Sequence, residues 1–175
     1  MPKRSQYGKV HIYTGPGKGK TTAGLGMAVR AAGAGMKVSI HQFIKGRVSS
    51  EVRALKNIAN IKISQCGREC FIKNKPDSKD IDCAQKGLVR ARQDIMSGKY
   101  DLVILDEANV AVDLGLIDAK DMLDIIKNKP CPVELVLTGR GAGKALVKCA
   151  HYVTHLRKIK HPFDKGLIAR KGIEY

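Results

Sequence analysis

Two groups of residues in this 175-residue chain have the types and spacing to act together on a phosphorylated substrate. The first is Gly15-Pro16-Gly17-Lys18-Gly19-Lys20-Thr21-Thr22. Glycines let backbone N–H groups turn inward without a Cβ in the way, and a helix start behind them adds positive dipole. Lys20 is then placed to reach phosphate oxygens, and the Thr21 hydroxyl to hold Mg²⁺. The second group is Asp106-Glu107, at the end of the apolar run Tyr100 to Leu105. Carboxylates at the carboxyl edge of a sheet lie beside a phosphate loop on that same edge, where they hold Mg²⁺ directly or through water. Arg140, between glycines after another apolar run, is placed to meet an anion.

The flanking elements support this pairing. Val10 to Tyr13 alternates like a buried strand before the loop, and small apolar residues at helical spacing predict a helix from about Gly19 to Ala34. Strand, glycine-rich turn, Gly-Lys-Thr and helix form the phosphate-binding arrangement. One position departs from it: the first glycine of G-x-x-x-x-G-K-[ST] should stand at 14, where the chain has Thr14. Further strands are expected at 37–44, 61–64, 100–105, 133–137 and 151–156. Helices are expected at 50–57, from a cap at Ser78 or Asp80 to Met96, from Asp118 to before Pro130, and at 143–150. Strands alternating with helices indicate an α/β fold with a mostly parallel sheet. The expected organisation is a single domain over residues 1–175.

Composition sets the outer bounds. Hydrophobic residues make up 43% of the chain, which argues against disorder. No apolar stretch is long enough to span a bilayer and no signal peptide is evident, so a cytoplasmic location is expected. Thirty-two Lys+Arg against sixteen Asp+Glu give a formal charge of +16, which favours polyanionic partners. The basic residues are scattered, so charge alone does not separate nucleotide from nucleic acid. Cys66 and Cys70 lack the second pair that a structural zinc site needs. His151 and His155 fall in a strand-like pattern and are expected to be structural or surface residues.

A series of segments adds specificity that the loop alone lacks. Gly15 to Thr22 is followed in order by Gln42-Phe43-Ile44-Lys45-Gly46, Leu105-Asp106-Glu107 and Thr138-Gly139-Arg140-Gly141. Leu156-Arg157, Lys160-His161-x-Phe163-Asp164-x-Gly166 and Gly172-Ile173-Glu174-Tyr175 close the series. From about Lys9 to Tyr175 the chain resembles the ATP:corrinoid adenosyltransferases of the CobA/BtuR type.

The resemblance implies a P-loop NTPase-like (RecA-like) fold and transfer of the 5′-deoxyadenosyl group of ATP to the Co(I) of a reduced corrinoid. Triphosphate is released, in adenosylcobalamin biosynthesis or salvage. It implies ATP as co-substrate, Mg²⁺ (or Mn²⁺), a flavoprotein reductant and a homodimer. The lack of long apolar stretches argues against a membrane partner, and the low aromatic content against nucleic acid. Carried over by position, Gly15, Pro16, Gly17, Lys18, Gly19, Lys20, Thr21 and Thr22 hold the triphosphate. Thr21 and Glu107 hold the metal, Asp106 supports it from behind, and Lys20, Arg30 and Arg140 are the catalytic cations. The family's loop aromatics, which face the corrin, do not align cleanly with Cys66 to Phe71, and Phe71 is the candidate replacement. Only a few residues precede the first strand, where longer members carry a helix that covers the neighbouring subunit's site. The competing reading is a nucleic-acid-stimulated RecA-like ATPase, in which Glu107 would orient a water toward the γ-phosphate. A nucleotide-binding regulator is a third. The low aromatic content, 5%, gives little for base stacking and weakens the second reading.

Overall fold

The computed structural model describes residues 8–68 and 75–175. Among these, six strands form one sheet in the order β3-β2-β4-β5-β1-β6. They are β1 (Val10–Thr14), β2 (Val38–Phe43), β3 (Ile61–Cys66), β4 (Leu102–Asp106), β5 (Glu134–Thr138) and β6 (Tyr152–His155). Every pairing is parallel, so the mostly parallel sheet expected from the strand–helix alternation is here wholly parallel.

Helices cover both faces. On one side α1 (Lys20–Gly33) and α2 (Ser50–Leu55) pack on Val38, Ile40, Leu102, Ile104 and Val136 through Leu25, Ala28, Ala31 and Leu55. On the other, α3 (Ser78–Met96), α4 (Ala108–Asp113), α5 (Ala119–Asn128) and α6 (Lys144–Cys149) cover Val10, Ile12, Phe43, Val103, Leu105, Leu135 and Leu137. All five residues of β4 are buried, alternate side chains entering alternate cores. This is why Tyr100 to Leu105 reads as a continuous apolar run.

The helix ends follow local chemistry. Asp118 caps α5 by accepting from Lys120 N–H, as expected. The cap of α3 is Asp77, not Ser78 or Asp80. Asp77 accepts from Asp80 N–H while the Asp80 carboxylate accepts from Asp77 N–H, a reciprocal box. Helix α4 is absent from the sequence-based expectation. It begins directly after Glu107, whose φ of 59° turns the chain sharply out of β4.

Strand order positions the site. β5 lies between β4 and β1, so the ends of β1, β5, β4 and β2 stand side by side along the carboxyl edge. The phosphate loop leaves β1 there, Arg140 follows β5, Glu107 follows β4 and Lys45 follows β2. Beyond β6 the chain crosses back over this edge through a single 3-10 turn, Pro162–Lys165.

Candidate active site

The phosphate loop is built against the end of the chain. Gly17 N–H donates to Leu156 C=O at 2.7 Å, and Leu156 N–H donates to Thr14 C=O at 2.8 Å. A Cβ on Gly17 would stand 2.7 Å from both the Leu156 and Arg157 carbonyl oxygens, so only glycine admits this approach. Thr14, where the usual motif has glycine, is buried, and its hydroxyl accepts from Ala142 N–H at 3.3 Å, tying the loop to the segment after β5.

Lys20 opens α1 and donates to Gly17 C=O at 2.7 Å, closing the loop on itself. Burial lowers its pKa; Glu107 opposes the shift and Arg140 adds to it. These three side chains therefore act on one another across the mouth of the site.

Asp106 is the buried centre of the assembly. It is 1% exposed and accepts from Thr21 Oγ1 at 2.9 Å, Thr138 Oγ1 at 2.6 Å, Gln42 Nε2 at 3.1 Å and Lys45 Nζ at 2.9 Å. A carboxylate accepting this many donors is fully solvated by the protein. The Thr21 hydroxyl gives its proton to Asp106 and its oxygen accepts from Lys45 Nζ at 3.4 Å, which leaves one lone pair to accept.

Glu107, next in line, has a different environment. Its backbone N–H donates to Thr138 Oγ1 at 3.0 Å. Burial pushes its carboxyl pKa up and Asp106 adds to this, while Lys45, Lys20 and Arg140 pull it down. A half-buried carboxylate held above its ordinary range is one whose charge calls for a cation.

These groups line a cleft of about 1040 Å³. Pro16 to Thr22 form its floor, with Lys45, Glu107 and Arg140 on one side and Leu25, Val29, Ala54 and Leu55 as an apolar wall. The chain end supplies the roof, including Lys158, His161, Phe163 and residues 172–175. It is anchored by Lys18 Nζ to Glu174 Oε1 at 2.8 Å, by Arg170 to Glu174 at 3.1 Å and by Ser50 Oγ to Tyr175 C=O at 3.1 Å.

The structure thus gathers Pro16, Gly17, Lys18, Gly19, Lys20, Thr21, Thr22, Glu107 and Arg140 around one cleft, with Gly15 behind the loop against Leu156. Arg30 is not among the residues that line the cleft: it is exposed in the last turn of α1, although its neighbour Val29 belongs to the apolar wall. Phe71 lies outside the described residues. Sequence reasoning assigned no role to Lys45, Gln42 or the roof, although the segments containing them carried the resemblance. His151 is structural, its Nδ1 accepting from Val10 N–H at 3.0 Å, and His155 is an exposed residue of β6.

The fold is similar to that of the cytoplasmic domain of EssC, with a TM-score of 0.55 at 16% identity over 94% of this chain and 34% of that one. At that identity the likeness concerns the fold alone. Sequence comparison goes further. The chain is 34% identical to a corrinoid adenosyltransferase of Sinorhizobium sp. over 99% of its length and 83% of the relative's. It is 33% identical to that of Pseudomonas aeruginosa, covering 98% of this chain and 86% of the other. With the Escherichia coli K12 enzyme it shares 30% identity over 98% and 88%. Residues 6–175 match the family described as ATP:corrinoid adenosyltransferase BtuR/CobO/CobP. With that match over nearly its whole length and relatives above 30% identity, the chain belongs to the ATP:corrinoid adenosyltransferase family.

Proposed function

We propose that this chain, acting as one unit over residues 1–175, binds ATP in the cleft and presents its C5′ to the Co(I) of a reduced corrinoid. The cobalt lone pair forms the Co–C5′ bond, the C5′–O bond breaks, and triphosphate leaves with that electron pair. The observation that carries the reading is the grouping of Lys20, Lys45 and Arg140 with Thr21 and Glu107 at one end of an open, half-apolar cleft. The reaction needs no protein base, because Co(I) is already the nucleophile. It needs alignment and a site for the charge that develops on the leaving group.

The residues present fit a divalent cation. The Thr21 oxygen keeps one lone pair beyond its bonds to Asp106 and Lys45, and Glu107 supplies a carboxylate to the same cleft. Mg²⁺ (or Mn²⁺) held by these two would neutralise charge on the triphosphate. Lys20 and Arg140 hold the same anion from the loop side, and the loop amides orient it. The apolar wall of Leu25, Val29, Ala54 and Leu55 excludes water from the nucleoside side. A cytoplasmic homodimer supplied with Co(I) by a flavoprotein, with Phe71 as the candidate substitute for the family's loop aromatics, completes the proposal. The family match speaks against a nucleic-acid-stimulated motor.

The test is anaerobic. Protein, MgATP and chemically reduced Co(I) corrinoid are mixed, Co(I) absorbance is followed and the phosphate product identified. Loss of Co(I) with intact triphosphate is expected, with Lys20→Ala reducing the rate by about 10²-fold or more. ADP and phosphate as products, formed faster with DNA or RNA and indifferent to corrinoid, would replace this reading with the motor.

A further inference from the structure

Lys45 stands apart from the other cations of the cleft in how it is held. It follows β2 through Ile44, which has φ of 67°, and Lys45 N–H returns to Phe43 C=O at 2.7 Å. A three-residue turn of this hand is rare and strained, and more so around a β-branched residue. The turn is also packed from outside: a Cβ on Gly67 would lie 2.3 Å from Ile44 C and 2.7 Å from Lys45 N, so β3 leaves its strand pressed against it. Strain maintained by two converging segments occurs where a side chain must be aimed. The side chain aimed here is that of Lys45.

Its target is Asp106, 2.9 Å away, with Thr21 Oγ1 at 3.4 Å. The ammonium is half-buried, 30% exposed, and its partner is 1% exposed. Removing it would leave Asp106 with three neutral donors and an uncompensated charge. Asp106 would then compete with Glu107 for any cation at the edge of the site. With Lys45 in place, Asp106 is neutralised and acts as the acceptor for Thr21, Thr138 and Gln42.

We propose that Lys45 is a positioning residue for the divalent-cation end of the nucleotide site: it fixes and neutralises Asp106 so that Thr21 points its remaining lone pair, and Glu107 its charge, at the cation carried by ATP. This deepens the adenosyltransferase reading and rests on it for the identity of the nucleotide. It assigns Lys45 no direct contact with the triphosphate. A phosphate contact would affect ATP with and without metal; a positioning role affects the metal-bound form selectively.

The experiment measures binding without turnover. Mn²⁺–ATP affinity is read from the Mn²⁺ electron paramagnetic resonance signal in the absence of corrinoid, and metal-free ATP affinity by calorimetry in chelator. Lys45→Gln is expected to weaken Mn²⁺–ATP at least tenfold and metal-free ATP less than threefold. Lys45→Arg, which returns the charge at a different reach, should fall between, three- to fivefold weaker than wild type. In turnover, KM for MnATP rises and kcat holds.

Equal loss with and without metal would overturn the proposal in favour of a phosphate contact. A lowered Tm with both affinities unchanged would overturn it in favour of a purely structural pair. If Lys45→Gln does not fold, Lys45→Arg decides: an unchanged Mn²⁺–ATP affinity there refutes the proposal. Failure of wild-type protein to form the cobalt–carbon bond would refute the adenosyltransferase reading while leaving this metal-selective test intact.

Discussion

Replacing Asp106 by Asn keeps the shape of the buried centre and changes its hydrogen-bond logic. On one side of the carboxylate stand Gln42 Nε2 and Lys45 Nζ; on the other stand the Thr21 and Thr138 hydroxyls. Lysine can only donate, so the amide oxygen must face Lys45, and the amide N–H₂ must face the two hydroxyls. Thr138 already accepts from Glu107 N–H, so its own proton loses its acceptor. Thr21 must spend a lone pair on the amide, the lone pair proposed for the cation.

Exchanging two hydrogen bonds to a charged group for neutral ones costs about 2–3 kcal/mol. Lys45 also loses its counter-charge. A fully buried pair would cost about 3–5 kcal/mol on losing one partner, and the partial exposure of Lys45 reduces this to roughly 1–2. The expected total is about 3–5 kcal/mol, a Tm fall of roughly 6–20 °C for a domain of this size. Urea denaturation gives the first figure and circular-dichroism melting the second, while Mn²⁺–ATP binding to the folded variant should weaken at least tenfold. A loss below about 1 kcal/mol with unchanged Mn²⁺–ATP binding would refute the reasoning, because the four donors could not then depend on a charged acceptor.

Three further outcomes are expected. Burial holds the Glu107 pKa above its unfolded value, so ionised Glu107 costs stability that is absent below about pH 4 and fully present above the raised pKa. Glu107→Gln should therefore be more stable than wild type at pH 7 and equal to it near pH 3, by urea denaturation without nucleotide, while losing Mn²⁺–ATP affinity. Arg170, with Lys18, draws the Glu174 carboxyl down to about 2. The pair thus contributes from above the unfolded pKa and is lost only as pH falls through about 2. Glu174→Gln should open the roof at neutral pH, seen as faster tryptic cleavage after Arg170 and Lys171; an unchanged cleavage rate would show that the roof is held elsewhere. Gly17→Ala should push Leu156 and Arg157 off the loop, lowering stability by about 1–3 kcal/mol and abolishing ATP binding together. Loss of binding at full stability would mean that the glycine serves phosphate alone.

What the sequence discloses and what it hides divide by range. The phosphate loop, its helix and the Asp106-Glu107 edge are legible because each is a local pattern of period, turn and charge. The cap on α3 was misplaced by one residue from Ser78, since Asp77 and Ser78 are both competent and only the reciprocal bond with Asp80 chooses. Helix α4 is six residues that include two valines, without a side-chain cap, and nothing local announces it. The contacts of Lys45 to Thr21 and Asp106 span 24 and 61 positions, and Lys18 meets Glu174 across 156. Such contacts follow from strand order, which no periodicity encodes. For Arg30, the position expected from the resemblance and the place in the fold diverge: its neighbour Val29 lines the cleft and Arg30 does not.

The strand order also fixes when the site can exist during synthesis. β1 emerges first but pairs with Leu135 to Thr138 and then with Tyr152 to His155. At roughly 5–20 residues per second, the 125 residues from Val10 to Leu135 keep it waiting about 6–25 seconds. Over that interval β2, β3 and β4 already have one another. A ribosome stalled well beyond Asp106 would therefore carry three paired strands and Glu107, with the glycine loop still unanchored and no place for nucleotide. Only when Leu156 has emerged does the earliest functional segment of the chain acquire its shape, so nucleotide binding by a nascent chain would report the arrival of β6 and Leu156.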